Sequence, residues 1–151
     1  MFDKILVVCV GNICRSPTAE HLLKQHLPHK EIRSAGLATD KSGLSGNDMD
    51  QQARTVAERH GYLFPQHIAT QVSRDAIKWA DLVLVMENSH REKLGQMYPE
   101  ALGKTLLIGN WIGDTGKAKD IPDPYRKSDE AFEYVFELLN KAVATWVTKL
   151  N

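Results

Sequence analysis

The stretch Lys4-Ile-Leu-Val-Val-Cys9, running on through Val10-Gly-Asn-Ile-Cys-Arg15-Ser16-Pro17, constrains this chain more than any other segment. An unbroken apolar, β-branched run leaves no face for water, which suits a central strand of a parallel sheet. Gly11 and Asn12 interrupt it with residue types that tolerate unusual backbone angles. Ser16 and Pro17 then read as the N-cap and first residue of a helix. Ala19, Leu22, Leu23 and Leu27 supply its apolar stripe, and Pro28 helps to end it. The chain thus opens as strand, tight loop, helix.

The same alternation continues. A short strand is expected over 32–36, an exposed loop over 37–49, and a helix over 50–60 that stops at Gly61. Ser73 caps a short helix reaching Trp79, and a second fully apolar strand follows at 81–86. A helix from Asn88 or Ser89 to about Gly95, a fourth strand over 104–109 and a long polar loop over 110–127 come next. Ser128 caps the clearest helix, whose Phe132, Val135, Phe136, Leu139, Val143 and Trp146 recur at helical spacing. Strands alternating with helices give an α/β fold with about four parallel strands and helices on both faces. Its ligand crevice belongs at the carboxyl end of the first strand.

Composition narrows the function. The 151 residues suffice for one domain with a buried core. Nineteen basic and 19 acidic side chains cancel, which disfavours a general nucleic-acid or anionic-membrane binder and directs attention to a local site. The first apolar run, Ile5 to Val10, is too short to span a membrane and lacks a cleavage signal, so the expectation is a cytoplasmic protein without membrane insertion. Cys9 and Cys14 are the only cysteines, and both fall in the opening loop. Two thiols in a chain of this size are not a disulfide scaffold.

A loop between a strand end and a helix start aims successive N–H groups into a concavity, to which the helix adds its positive end. Such a hole fits a phosphate-sized anion, and Arg15 adds a planar fork for two of its oxygens. No Gly-Lys-Ser/Thr closes the loop, so a Walker nucleotide site is not indicated. Cys9 stands at the mouth of the hole, where these positive groups favour the thiolate, a nucleophile placed in line with a bound phosphoryl group. A leaving phenolate would need a proton, for which Asp114, Asp120 and Asp123 are candidates in the polar loop. Pro122 and Pro124 restrict the backbone around Asp123. His21, His26 and His29 spread around one helix without a fourth ligand, so no metal is expected.

The motif Cys9-Val-Gly-Asn-Ile-Cys-Arg-Ser16-Pro17, with Asp123-Pro124-Tyr125, resembles that of the low-molecular-weight protein tyrosine phosphatase family. Ile121-Pro-Asp-Pro-Tyr-Arg-Lys-Ser128 is similar in form to the bacterial exopolysaccharide-system (Wzb-like) branch. The resemblance implies one domain over 1–151, with a Rossmann-like parallel sheet of order 2-1-3-4. It implies a phosphocysteine mechanism without cofactor, with Cys9, Arg15 and Asp123 catalytic, and it selects Asp123 as acid and then base. Val10, Gly11, Asn12, Ile13, Cys14 and Ser16 would cradle the phosphoryl group, with Ser16 donating to the Cys9 thiolate and Tyr125 walling the ring. Asn12 would be held by Ser34 and His67, and Cys14 would trap oxidised Cys9 as a protective disulfide. The implied partner is a phosphotyrosine protein, the tail of a membrane tyrosine kinase of capsule or exopolysaccharide export.

One departure concerns the aromatic that family members often contribute from the loop after the second strand. Here 37–49 offers only Leu37, Leu44 and Met49, with Trp111 a candidate for the opposite rim. Among rivals, an arsenate reductase on the same fold needs further cysteines, and none follows Cys14. A non-catalytic phosphotyrosine-binding module would need no nucleophile, and a sugar-transport phosphocarrier would not need both Arg15 and an acid loop.

Overall fold

The structure, a computed structural model, describes residues 2–151. Four parallel strands, β1 (Lys4–Cys9), β2 (Glu31–Gly36), β3 (Leu82–Val85) and β4 (Thr105–Leu107), lie in the order 2-1-3-4. β1 pairs on both edges, which explains why Ile5 to Cys9 are all buried. Its side chains divide between two cores. Ile5, Val7 and Cys9 face the layer built by α1 (Arg15–His26), α2 (Gln51–Arg59) and α5 (Asp129–Leu150). Leu6 and Val8 join Ile77 of α3 (Arg74–Trp79) and Leu94 of α4 (Asn88–Met97) on the other face. The first crossover returns to one side of β1 and the later ones to the other, so the crevice above Cys9 is the sheet's switch point.

Several elements end for identifiable reasons. Asp50, Ser73 and Ser128 each accept a backbone N–H from the first turn of the helix they precede, as N-caps do. Gly61, at φ +86°, ends α2 in the left-handed region where glycine is at ease. Gly95 does not end α4. It lies inside the helix because a Cβ there would come within 2.5 Å of Leu102. β4 is shorter than the apolar pattern suggests, since 99–104 form a 3₁₀ stretch and Lys104 Nζ donates to the carbonyls of Ile77 and Ala80.

The start of α1 corrects the sequence reading. The helix begins at Arg15, Cys14 occupies the N-cap, and neither Cys14 nor Ser16 provides a capping bond. The Ser16 hydroxyl is already spent on Cys9 and Asn12. The long loop is not wholly irregular either: 114–116 form a 3₁₀ turn, and Lys119 N–H and Ile121 N–H bond back to Gly109 and Met86. These anchors bring 121–126 to the end of β1. No helix among the described residues is long and apolar enough to cross a membrane.

Candidate active site

Residues 10–14 curve from the end of β1 into α1, and Asn12 is the pivot. It is fully buried and adopts φ +55°, a left-handed conformation that asparagine enters more readily than most residues. Its side-chain amide donates to Ser16 Oγ at 2.7 Å and Ser34 Oγ at 2.9 Å, while its Oδ1 accepts Thr70 N–H at 2.9 Å. Its own carbonyl meets His67 Nε2 at 2.7 Å. Gly11 does not share the positive φ. A side chain there would instead come within 3.0 Å of Leu44 Cδ1, so the glycine's service is to let the 37–49 loop close down on the turn. Gly36, at the end of β2, is tighter still, because an added Cβ would lie 2.6 Å from the Val10 carbonyl oxygen.

The loop surrounds the Cys9 sulfur. Asn12 N–H donates to Sγ at 3.2 Å, and the Ser16 hydroxyl lies 3.0 Å away. The amides of Gly11, Ile13, Cys14, Arg15 and Ser16 donate to no acceptor among the described residues, which leaves N–H groups for an anion at the start of α1. Arg15 is buried along its length. One of its nitrogens, Nη1, donates to Glu87 Oε2 at 2.6 Å and to the Ile121 carbonyl at 2.8 Å. Its other terminal nitrogen lies 3.8 Å from Asp123 Oδ2. Glu87 is half-turned to solvent and also approaches His90 Nε2 at 3.5 Å.

A cleft of about 280 Å³ opens over this assembly, lined by the loop 9–15 together with Ser42, Leu44, Asp123, Tyr125 and Arg126. Asp123 is half-exposed, and its Oδ1 accepts Tyr125 N–H at 3.0 Å, a local turn that fixes the carboxyl group. The two neighbouring aspartates are placed elsewhere. Asp120 Oδ1 accepts the backbone N–H of Asn88 at the start of α4, and Asp114 lies in the 3₁₀ turn outside the cleft. Tyr125 is exposed at the rim, with the Arg126 guanidinium 5.2 Å from its ring centre. Trp111 is not on the opposite rim. It packs against Trp146, ring centres 4.7 Å apart, and of the apolar residues that 37–49 offers only Leu44 lines the cleft.

Burial and charge tune the remaining groups. Cys14 is buried as a free thiol, and its pKa is pushed far up, first by desolvation and then by the negative groups Asp50, Cys9 and Asp123. Desolvation lowers the pKa of His67 and of His21, holding both imidazoles toward the neutral form. His90 is lowered likewise, by burial and then by the Arg15 charge.

Sequence reasoning brought together Cys9, Asn12, Arg15, Ser16, Ser34, His67, Asp123 and Tyr125, and the fold places them around one loop. It missed Glu87, Thr70, Arg126 and the Ile121 carbonyl. Glu87 had a signal: an acidic residue immediately following a wholly apolar strand, at the end of the sheet where the crevice belongs.

The fold and site together belong to a phosphate-handling α/β enzyme, and the comparisons specify which. Residues 4–151 match the family model of low molecular weight phosphotyrosine protein phosphatases, and the chain belongs to that family. It is therefore a phosphatase. The chain is 44% identical over 151 residues to a probable low molecular weight protein-tyrosine-phosphatase, AmsI, of Erwinia amylovora, covering 100% of this chain and 99% of that protein. It is 46% identical to Wzb of Escherichia coli K12, covering 100% of this chain and 97% of Wzb. Among solved structures, Vibrio vulnificus Wzb in complex with benzylphosphonate superposes with a TM-score of 0.93 at 48% identity, covering 99% of each chain.

Proposed function

We propose that residues 1–151 form one domain that hydrolyses phosphotyrosine through a phosphocysteine intermediate. The observation that carries this reading is the Cys9 sulfur at the floor of a cleft. The Asn12 N–H donates to it, the Ser16 hydroxyl is hydrogen-bonded to it, and a fixed carboxyl, Asp123, lines the same space. The phosphoryl oxygens would be received by the free loop amides and by the Arg15 guanidinium, which Glu87 and the Ile121 carbonyl hold in place. Little reorganisation is then needed when charge builds up in transfer.

In the first step the Cys9 thiolate attacks phosphorus, the bond from phosphorus to the phenolic oxygen breaks, and Asp123 gives its proton to the departing oxygen. In the second, the Asp123 carboxylate takes a proton from water as the water oxygen attacks phosphorus. The sulfur–phosphorus bond breaks, and Ser16 Oγ–H and Asn12 N–H receive the restored thiolate. Tyr125 offers a ring wall on one side and Leu44 an aliphatic one on the other, so the cleft stacks a substrate ring on a single face.

The substrate follows by kinship. AmsI and Wzb bear the name of protein-tyrosine-phosphatases, which supports a phosphotyrosine protein as substrate; from the motif's resemblance to the exopolysaccharide-system branch we assign as its form the phosphorylated tail of a membrane tyrosine kinase, met from the cytoplasm. The test is kinetic. Asp123→Ala is expected to lower kcat on phosphotyrosine peptides by about two to four orders of magnitude, and less on an aryl phosphate with a good leaving group. Cys9→Ser should abolish turnover and, with it, any thiol-linked phosphoryl group trapped on the enzyme. Full activity in Cys9→Ser would remove the mechanism, and full activity in Asp123→Ala would remove the assigned acid.

A further inference from the structure

Glu20, His21 and His67 line a groove of about 560 Å³ between α1, β2 and the segment 65–76, distinct from the cleft over Cys9. All three are more than nine-tenths buried, at 7%, 6% and 7% exposure. One ligand atom from each lies within 4.8 Å of those of the other two. The pattern of histidines along α1 pointed to no metal, because the third member comes from a segment 46 residues beyond His21.

The protonation pattern suits a cation. His21 Nε2 is shielded from solvent and has no hydrogen-bond partner, a state that buried nitrogens seldom keep. His67 Nε2 faces the Asn12 carbonyl at 2.7 Å. A carbonyl only accepts, so Nε2 carries the proton and Nδ1 holds the lone pair. Metal-bound histidines show this arrangement, with the second ring N–H donated to a backbone carbonyl or carboxylate. Glu20 supplies the negative ligand. Its Oε1 accepts the Ser34 hydroxyl at 2.5 Å, and its Oε2 is 2.6 Å from Lys24 Nζ. Lys24 is about half-exposed and free to swing into water, so the ammonium holds a place that another cation can take.

We propose that Glu20, His21 and His67 form a three-ligand site for a borderline divalent cation of the Zn²⁺ class, bound in exchange for the Lys24 ammonium. Two imidazoles and one carboxylate, with a fourth position open to the groove, match that class and not calcium or magnesium, which take oxygen ligands. Binding draws the ligand atoms from 4.8 Å or less to about 3.3 Å apart, the spacing of a tetrahedron with metal–nitrogen bonds of about 2.0 Å. Rotation of Glu20 once Lys24 leaves, with a small turn of His21, supplies that contraction. The site touches no reacting atom, but it adjoins the pivot of the loop. His67 holds the Asn12 carbonyl, and Glu20 holds Ser34, which receives the Asn12 amide.

The test uses the Cys9→Ser/Cys14→Ser protein, so that no thiol competes for metal. Zn²⁺ is titrated by calorimetry, and Co²⁺ by the visible absorption of a tetrahedral ion. One equivalent is expected to bind and to raise Tm. His21→Asn and Glu20→Gln should each weaken binding by about tenfold or more, and Lys24→Met should tighten it severalfold. Absence of saturable binding overturns the proposal, as does an affinity that Lys24→Met leaves unchanged. If the His21 variant fails to fold, the exposed Lys24→Met change decides alone, since tightening requires a cation at the position its ammonium held.

Discussion

Replacing Asn12 with alanine separates what the loop's conformation costs from what holds it. The substitution removes two donated bonds, to Ser16 and Ser34, and one accepted bond, from Thr70 N–H. At about 1 kcal/mol each in net terms, their loss amounts to about 3 kcal/mol. The left-handed backbone at φ +55° suits alanine less well than asparagine and adds about 1 kcal/mol. The expected destabilisation is thus about 3–5 kcal/mol, a large part of the roughly 5–15 kcal/mol available to a domain. Urea unfolding followed by tryptophan fluorescence measures it. Asn12→Gly loses the same bonds but accepts the backbone, so it should recover about 1 kcal/mol relative to alanine. A loss below about 1 kcal/mol in Asn12→Ala, or equal losses in the two variants, would refute the account of Asn12 as pivot.

Glu87→Gln keeps a group beside Arg15 but removes its charge, leaving a buried guanidinium less well held. With Glu87 partly exposed, about 1.5 kcal/mol of positioning is at stake, read as about a tenfold fall in kcat/KM on phosphotyrosine peptides. His90 predicts a pH effect. Its folded pKa lies below the unfolded value of about 6.5, through burial and Arg15, against opposing pulls from Glu87, Asp120 and Asp123. Below pH 6.5 the unfolded chain therefore binds the extra proton, and the stability contributed by neutral His90 is present above that pH and lost as pH falls through the folded value. His90→Gln should flatten urea midpoints measured between pH 7 and 5, with the other buried histidines retaining part of the slope. If Cys14 traps oxidised Cys9, its raised pKa makes that attack slow at neutrality, so the rate of Cys9–Cys14 disulfide formation after peroxide should climb with pH without levelling off through pH 9. A plateau near neutrality in a quenched thiol-labelling assay would contradict that burial.

The opening loop was legible because its information is local. An apolar strand, a Gly-Asn break, Cys9, Arg15 and the start of a helix follow one another in one short stretch of chain, Lys4 to Pro17, and their spacing implies an anion hole. β1 and β3 were legible for the same reason, each being a short apolar run between polar breaks, whereas β2 carries Glu31, Arg33 and Ser34 and β4 is cut short by the 3₁₀ stretch before it. What sequence reading missed depends on distance along the chain. Ser16 has the form of a helix cap, yet its hydroxyl is drawn away by a sulfur seven residues earlier and an amide four residues earlier. Thr70 reaches Asn12 through a backbone N–H, a group every residue but proline carries, so its identity discloses nothing. Trp111 leaves the rim because its ring packs against Trp146, while Leu44, one of the apolar residues that 37–49 offers, does line the cleft.

Arg15 is clamped by a carbonyl 106 residues further along the chain, and the carboxyl that faces it comes two residues later still. Translation makes the sulfur of Cys9 well before the carbonyl that clamps Arg15. A growing chain therefore carries the thiol without the clamped guanidinium, and without Asp123, until residues 121–123 have been added. An unfinished chain thus has the sulfur but lacks the fixed guanidinium on which the proposed phosphoryl transfer depends.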